Sequence, residues 1–168
     1  MKPVRTVLVL MALFVAGSLL AREVAVDYDA TVDFSKYKTF AWKVAAQAPN
    51  PSTHQRIVGA VEKELAAKGL KKVEKDPDLW VSYSVVVKKE ATSTDWDYGK
   101  FKFSGRDVTY EKLARGTLVV DLIDGKGANL LWRGEATENI QPDAPPGEGV
   151  IEKGVALMFK DFPPKKGK

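Results

Sequence analysis

A β-hairpin in the second half of the chain restricts the fold more than any other feature of the sequence. Residues 116–137 read GTLVVDLIDGKGANLLWRGEAT, with two arms of β-forming residues around a short connection that contains glycine. In the first arm, large apolar residues lie on both faces: Leu118, Val120 and Leu122 on one, Val119 and Ile123 on the other. Both faces are therefore expected to be partly covered, as in the central strands of a sheet.

Three other stretches predict strands. Apolar and polar residues alternate in VAVDYDATVDF, residues 24–34, and in KTFAWKV, residues 38–44. The run LWVSYSVVV, residues 79–87, is strongly apolar and rich in β-branched side chains. A further strand is expected within residues 88–112, so the predicted order of elements is β-β-α-β-(β)-β-β-α.

Two amphipathic helices complete the domain. Apolar residues recur at helical spacing over about residues 53–68, where Ser52 is the expected N-cap and Gln55 completes a capping box. Gly69 follows, at the position where glycine commonly ends a helix. The second helix is expected over about residues 149–161. This pattern predicts an α+β fold, a mainly antiparallel β-sheet with two amphipathic helices packed on one face.

The N-terminal residues are typical of a secretory leader. Lys2 and Arg5 precede an apolar run that is shorter than the ~20 residues of a membrane span, and small residues follow it. Residues 1–21 are therefore interpreted as a signal peptide that is cleaved near Ser18 or Ala21, and the protein is expected to be periplasmic. The alternative is association with the membrane through an uncleaved leader.

The residues that follow the leader are interpreted as one folded domain, residues 22–164, and a basic disordered tail, residues 165–168. The whole chain carries a formal net charge of +4, and removal of the leader takes away two of these charges. This balance does not favour nucleic acid as a partner. A weak association of the basic tail with anionic lipid is a further alternative, although a solvated terminus is the simpler interpretation.

The stretch VAGS, residues 15–18, resembles the acylation site of a bacterial lipoprotein in which Ser18 replaces the essential cysteine. The thioether of such an anchor needs a thiol, and the chain contains no cysteine, so a covalent lipid anchor of this kind is excluded. Two interpretations remain, an ordinary cleavage site and a lipoprotein site that has lost its cysteine. Disulfides are excluded on the same ground, so the fold must be stabilised by its core.

Four separated blocks carry a resemblance to a known family: VDYDATVDFSKYKTFAW, QRIVGAVEKELAAKGLKKVEKDPDLWVSYSV, GTLVVDLIDGKGANLLWRGEA and the closing DFPPK. In this order they are similar to the bacterial envelope family called domain of unknown function 4136. The resemblance implies an exported α+β domain, often a lipoprotein in other members. It implies no activity, no cofactor and no functional residue.

The residues for catalysis by a nucleophile and base are hard to find. There is no cysteine, no GxSxG motif and a single histidine, His54, at the start of the first predicted helix. His54 is interpreted as a solvated residue rather than a base, and zinc sites built from His/Cys clusters are excluded. The chain is therefore expected to be neither an enzyme nor a metal- or cofactor-binding protein.

Carboxylates are the remaining candidates. Asp27 and Asp29 lie on one strand face and Asp33 follows, so the three could bind calcium or share a proton. The simpler interpretation is the wet face of a half-buried strand. Asp121 stands among apolar residues of the hairpin, and Arg133 on the facing arm is its expected ion-pair partner, provided the register brings the two together.

An aromatic segment, residues 96–103, lies in otherwise polar sequence. Trp96, Tyr98 and Phe101 are the candidate contact surface for a partner, and the alternative is that these rings fold back onto the core. The leading functional hypothesis is a non-enzymatic envelope domain that binds another envelope component, most simply a protein. The alternative is a carrier for a small apolar ligand or lipid with a pocket under this segment. A carboxylate-dependent hydrolase is the third hypothesis.

Overall fold

A computed structural model of the chain describes residues 23–43, 50–89, 114–126, 129–141 and 144–164. Within these residues the chain forms six strands, two α-helices and a short 3-10 turn at Phe34–Lys36. In chain order the elements are β1 (Glu23–Tyr28), β2 (Thr39–Trp42), α1 (Pro51–Ala67), β3 (Lys71–Lys72), β4 (Leu79–Lys89), β5 (Ala114–Asp124), β6 (Leu130–Ile140) and α2 (Val150–Met158). The predicted leader, the tail and the expected strand within residues 88–112 lie outside the described residues, apart from the end of β4.

The strands form one sheet in the order β1-β6-β5-β4-β2-β3. The pairs β1–β6, β6–β5 and β5–β4 are antiparallel, whereas β2 is parallel to both β4 and β3. The predicted α+β fold with a mainly antiparallel sheet is confirmed. The parallel pairs and the short β3 were not predicted. They arise because α1 lies between β2 and β3 in the chain, and parallel neighbours need such a crossover.

The predicted hairpin is formed by β5 and β6, and β5 is central to the sheet. Its register places Val120 opposite Gly134 and Asp121 opposite Arg133, with a shift between Leu122 and Ile123. Val120 and Leu122 are fully buried on the helix side of the sheet. Ile123 on the other face is only partly buried. Both faces of β5 are therefore covered, as expected, but the helix side is covered more completely.

Helix α1 begins earlier than the sequence pattern indicated. Asn50, not Ser52, is the N-cap: its side-chain oxygen accepts a hydrogen bond from the backbone N–H of Thr53 at 2.8 Å. Pro51 takes the first helical position, where its fixed φ and missing N–H are favourable. At the other end Gly69 has a φ of +87°, so this expected C-terminal glycine is confirmed.

Both helices pack on one face of the sheet around a single core. Ile57, Val61 and Leu65 of α1 meet Ile151, Val155 and Met158 of α2 in the same buried cluster as the sheet residues. Helix α2 ends at Met158, shorter than predicted, and a turn carries Phe162 back into the core. There its ring and that of Phe159 flank the buried Trp132, with centroids 5.7 and 4.7 Å away. Neither of the described helices has the length and hydropathy needed to cross a membrane.

Candidate functional site

The predicted contact surface of Trp96, Tyr98 and Phe101 lies outside the described residues and stays a prediction. The segment that contains it connects β4 to β5.

Of the three aspartates proposed as a carboxylate site, Asp27 is exposed on β1 and the other two make local hydrogen bonds. The Asp29 carboxylate accepts hydrogen bonds from the Thr31 hydroxyl at 2.6 Å and the Thr31 backbone N–H at 2.9 Å. These two bonds hold the pKa of the Asp29 carboxyl below its ordinary value. Asp33 caps the 3-10 turn by accepting from Ser35. In the described ranges no three His, Cys, Asp or Glu side chains come together in a way that could hold a metal ion.

Asp121 and Arg133 meet as an ion pair on the sheet face opposite the helices. Arg133 donates from Nε to Oδ1 at 2.7 Å and from Nη2 to Oδ2 at 2.9 Å. The hydrogen-bonded carboxylate raises the pKa of Arg133 above its ordinary value. The expected partnership is confirmed, and the bidentate geometry assigns both side chains to structural pairing.

His54 is more than the solvated residue that the sequence suggested. The residue as a whole is exposed, but its Nδ1 lies 2.6 Å from the hydroxyl oxygen of Tyr83, which is 4% exposed on β4. The Tyr83 ring in turn meets Trp42 edge-on at 6.1 Å. Nearby, the Trp42 indole N–H donates to Glu62 of α1 at 2.8 Å. This chain of contacts fastens α1 to the sheet.

A small apolar pocket lies between the N-terminal ends of both helices and the strand ends near Gly116. Ile57, Val85 and Leu118 are among its lining residues, and its volume is about 70 Å³. Functional ligand pockets in proteins have volumes of about 300–1,000 Å³. This pocket is therefore smaller than a typical site for an organic ligand.

A larger groove runs between β1 and the C-terminal end of α2, with a volume of about 620 Å³. Val26, Tyr28 and Leu157 line it and remain 43%, 41% and 46% exposed. The fully buried Trp132 and the Pro163–Pro164 pair complete much of its apolar surface.

One glycine allows two residues that line the groove, Trp132 and Met158, to pack against β6. Val26 lies opposite Gly134, and a Cβ at Gly134 would approach Trp132 Cη2 to 2.5 Å and Met158 Sδ to 2.9 Å. With no side chain at this position, the indole ring and α2 can settle against β6. Val26 and Tyr28 then lie beside α2 on the outermost strand.

The sequence did not reveal this groove. Val24, Val26 and Tyr28 alternate with polar residues, a pattern that predicts the buried face of a half-buried strand. They do lie on the helix side of the sheet, but the edge position of β1 leaves two of them exposed. The only local signal was a tyrosine at the end of the strand, and tyrosine is enriched at interfaces.

One solved structure supports the fold, and others are similar at lower TM-scores. A PDZ domain protein from Parabacteroides distasonis is 22% identical over 87% of this chain and superposes with a TM-score of 0.63. This chain spans 37% of the length of that protein. A PelC dodecamer from Paraburkholderia phytofirmans has a TM-score of 0.49 at 12% identity, covering 88% of this chain and 99% of its own. A minor lipoprotein from Acinetobacter baumannii has a TM-score of 0.43 at 13% identity, covering 74% of this chain and 90% of its own.

No curated protein matches the chain. The sequence profile of the family described as a domain of unknown function, DUF4136, matches residues 24–164. This range includes all the strands and helices that the structure describes, except the first residue of β1. The chain belongs to the DUF4136 family.

Proposed function

We propose that this chain is an exported, non-enzymatic domain of the cell envelope that binds another envelope component, a protein. The observation that carries the proposal is the groove beside β1, where Val26, Tyr28 and Leu157 keep more than two-fifths of their surface exposed. Contiguous exposed apolar side chains mark interaction surfaces more often than isolated ones do. Export is supported by the leader-like residues 1–21.

The composition of the groove suits binding rather than catalysis. Aromatic and aliphatic side chains line most of it, and Lys160 and Asp161 bring one charge of each sign. Apolar anchors in a groove with a polar rim are the usual form of a protein-binding site. Its volume of about 620 Å³ leaves room for several side chains of a partner.

The alternative function, a carrier for a small apolar ligand or lipid, has one supporting observation, the apolar pocket between the helix ends. That pocket measures about 70 Å³, less than the engineered apolar cavity of about 150 Å³ that accepts benzene. The groove therefore supports protein binding better than the pocket supports transport. Native mass spectrometry of the protein purified from its producing cell tests the carrier directly, because a carrier retains an apolar ligand.

Site-specific photocrosslinking in the producing cell tests the binding function. A photoreactive amino acid at Leu157 should form an adduct with one defined protein, whose identity and envelope location are established by mass spectrometry and fractionation. The same amino acid at Val87 is the matched control, since Val87 is 39% exposed on β4, three strands away from β1.

Val26→Lys should abolish the adduct from position 157, because a charge in the groove must be desolvated when the partner binds. Val87→Lys should leave the adduct unchanged. Equal adducts from positions 157 and 87, or an adduct that survives Val26→Lys, would show that the groove is not the binding surface.

Export is tested separately by fractionation. The unmodified protein should be recovered from the periplasm with a mass that corresponds to cleavage near Ser18 or Ala21. Ser18→Cys supplies the missing thiol, so it should move the protein to the membrane fraction if the site is a former lipoprotein site. Recovery of the uncleaved chain in the membrane would favour the leader as an anchor.

A further inference from the structure

The two edges of the sheet are protected to different degrees. β3 is two residues long and both are exposed lysines, features that discourage pairing with another chain. β1 has six residues and contains neither lysine nor proline. Among the described residues, β1 pairs with β6 alone. Within the part of the chain that the structure describes, this edge of the sheet is open to an added strand.

The backbone groups that β1 presents at this edge follow from its register. The Asp29 N–H donates to the Leu131 carbonyl at 3.0 Å, so Asp29 belongs to a hydrogen-bonded pair with β6. Such pairs alternate along an antiparallel ladder, so Asp27 and Ala25 also bond to β6. The N–H and C=O groups of Val24, Val26 and Tyr28 then point away from β6, outward from the edge and in the plane of the sheet.

Charge selects the sequence that could pair there. The face of β1 opposite the groove carries Glu23 and Asp27, and Glu135 lies next to them on β6. The one arginine among them, Arg133, is held by Asp121. An added strand therefore finds apolar side chains on the helix side and carboxylates on the other.

The β1 strand of a second copy brings no basic residue to these carboxylates, because Glu23 and Asp27 are its charged residues. Antiparallel pairing of two β1 strands about Ala25 would place Glu23 of each copy opposite Asp27 of the other. Like charges directly opposite each other destabilise a strand pair. A partner with basic residues at these positions would instead gain from the same carboxylates.

We propose that the partner binds by strand addition: an extended segment pairs with the free edge of β1, with apolar residues at alternate positions in the groove. Lysine or arginine residues at the positions between them face Glu23 and Asp27. The proposal deepens the proposed protein-binding function and rests on it. Main-chain hydrogen bonds supply affinity in this mode, and the alternating side chains supply specificity.

The probe is a short capped peptide that alternates valine and lysine, added to the ¹⁵N-labelled protein purified from its producing cell. Hydrogen exchange at the amides of Val24, Val26 and Tyr28 should slow by about tenfold at saturation. The amides of Ala25 and Asp27 should change little, because they are already bonded to β6. A peptide that alternates valine and glutamate should bind at least about tenfold more weakly.

Two substitutions at one position separate backbone pairing from side-chain contact. Val26→Pro removes an edge N–H that β6 does not use, so strand addition should be lost while the fold is kept. Val26→Thr retains that N–H and a β-branched shape, and it should keep most of the affinity. Equal loss from both variants would overturn strand addition.

Other outcomes overturn the proposal in distinguishable ways. Peptide-induced changes at Leu157 without protection of the edge amides would leave the groove as a binding surface and exclude strand addition. Edge amides protected before any peptide is added would show that the edge is already occupied. Protection that rises with protein concentration would identify a second copy, and concentration-independent protection would identify another part of this chain.

Equal binding of both peptides would exclude the charge selection. No response to either peptide would overturn the proposal, while crosslinking from Leu157 would still decide the binding function.

Discussion

Arg133 and Asp121 form a bidentate pair in which both hydrogen bonds are shorter than 3 Å, at 2.7 and 2.9 Å. The arginine side chain is 42% exposed and the aspartate 20%, so the pair is half-buried on the sheet face opposite the helices. Asp27, opposite on β1, and Glu135, two residues along β6, also act on the guanidinium. The arginine therefore neutralises a group of side chains that otherwise consists of carboxylates.

Removal of the arginine should consequently cost more than removal of its partner. We expect Arg133→Met to lower the free energy of unfolding by about 1–3 kcal/mol, and Asp121→Asn by less than about 1 kcal/mol. Urea denaturation measures both. High salt should recover part of the Arg133→Met loss, because it screens the repulsion among the carboxylates that remain. Equal losses that are insensitive to salt would show that the pair acts alone.

Gly134 should tolerate no larger residue. A Cβ there would lie 2.5 Å from Trp132 Cη2 and 3.0 Å from the Met158 Cβ, and neither the buried ring nor the helix can move freely. We expect Gly134→Ala to destabilise the protein by about 1–3 kcal/mol, as overpacked cores generally do. The matched control is Gly59→Ala on the exposed side of α1, where a Cβ meets nothing within 4 Å. That change should stabilise by about 0.4–1 kcal/mol, and thermal melting compares the two.

The fold was largely predictable because its signals are local. Alternation marked β1 and β2, an apolar β-branched run marked β4, and glycine between two β-rich arms marked the hairpin. Two features were not predictable in this way. Parallel pairing of β2 depends on where α1 crosses the sheet, and β3 forms in a charged link only because β2 lies beside it. The N-cap was misplaced because Asn50 and Ser52 are both good caps, and Pro51 at the first helical position decides between them.

The candidate site was less predictable because it depends on topology. Alternation correctly placed Val26 and Tyr28 on the helix side of β1, but it carries no information on whether a strand lies at an edge. The Asp121–Arg133 pair was found because a carboxylate among apolar residues needs a partner. The groove required the unusual combination of Gly134, Trp132 and the end of α2, which only the assembled sheet brings together.

The hydrogen bonds of Asp78 should make the stability of the protein sensitive to acid. Its carboxylate accepts from the backbone N–H of Lys38 at 2.8 Å and of Thr39 at 2.9 Å, joining the start of β2 to that of β4. These bonds, that from Lys38 foremost, lower the pKa of Asp78 below its unfolded value of 3.8. A group with a lowered pKa stabilises the fold fully above the unfolded pKa and loses this effect as pH falls through the folded pKa.

The stability difference between the native protein and Asp78→Asn should therefore be constant near neutral pH and shrink below about pH 4. Chemical denaturation across this range measures it. Asp76→Asn is the matched control: it removes a carboxylate from the same turn, and asparagine tolerates the φ of 47° found there. A stability difference for Asp78→Asn that does not change with pH would show that the carboxylate charge is unimportant to the contact between β2 and β4.

Arg56 joins α1 to α2 and to the loop before it, and lysine should not replace it. Its Nε and Nη2 donate to the two Glu152 oxygens at 2.9 and 3.0 Å, and Nη1 donates to the Pro146 carbonyl at 2.8 Å. The hydrogen bonds from Arg56 are the main cause that lowers the pKa of the Glu152 carboxyl below its ordinary value. An ammonium group cannot reproduce the planar fork that reaches all of these acceptors.

Arg56→Lys should thus lower the free energy of unfolding by about 1–2 kcal/mol and speed hydrogen exchange in the first turn of α2 more than in α1. The larger effect is expected in α2 because α1 has further hydrogen bonds to the sheet, through His54 and Trp42. The loop before α2 is bonded to α1 through Arg56, at the Pro146 carbonyl. Glu152→Gln should lower the free energy of unfolding by a smaller amount. In the double variant the loss of unfolding free energy should be about 1 kcal/mol less than the sum of the two single losses. Strict additivity of the two losses would mean that Arg56 acts through the loop carbonyls and not through Glu152.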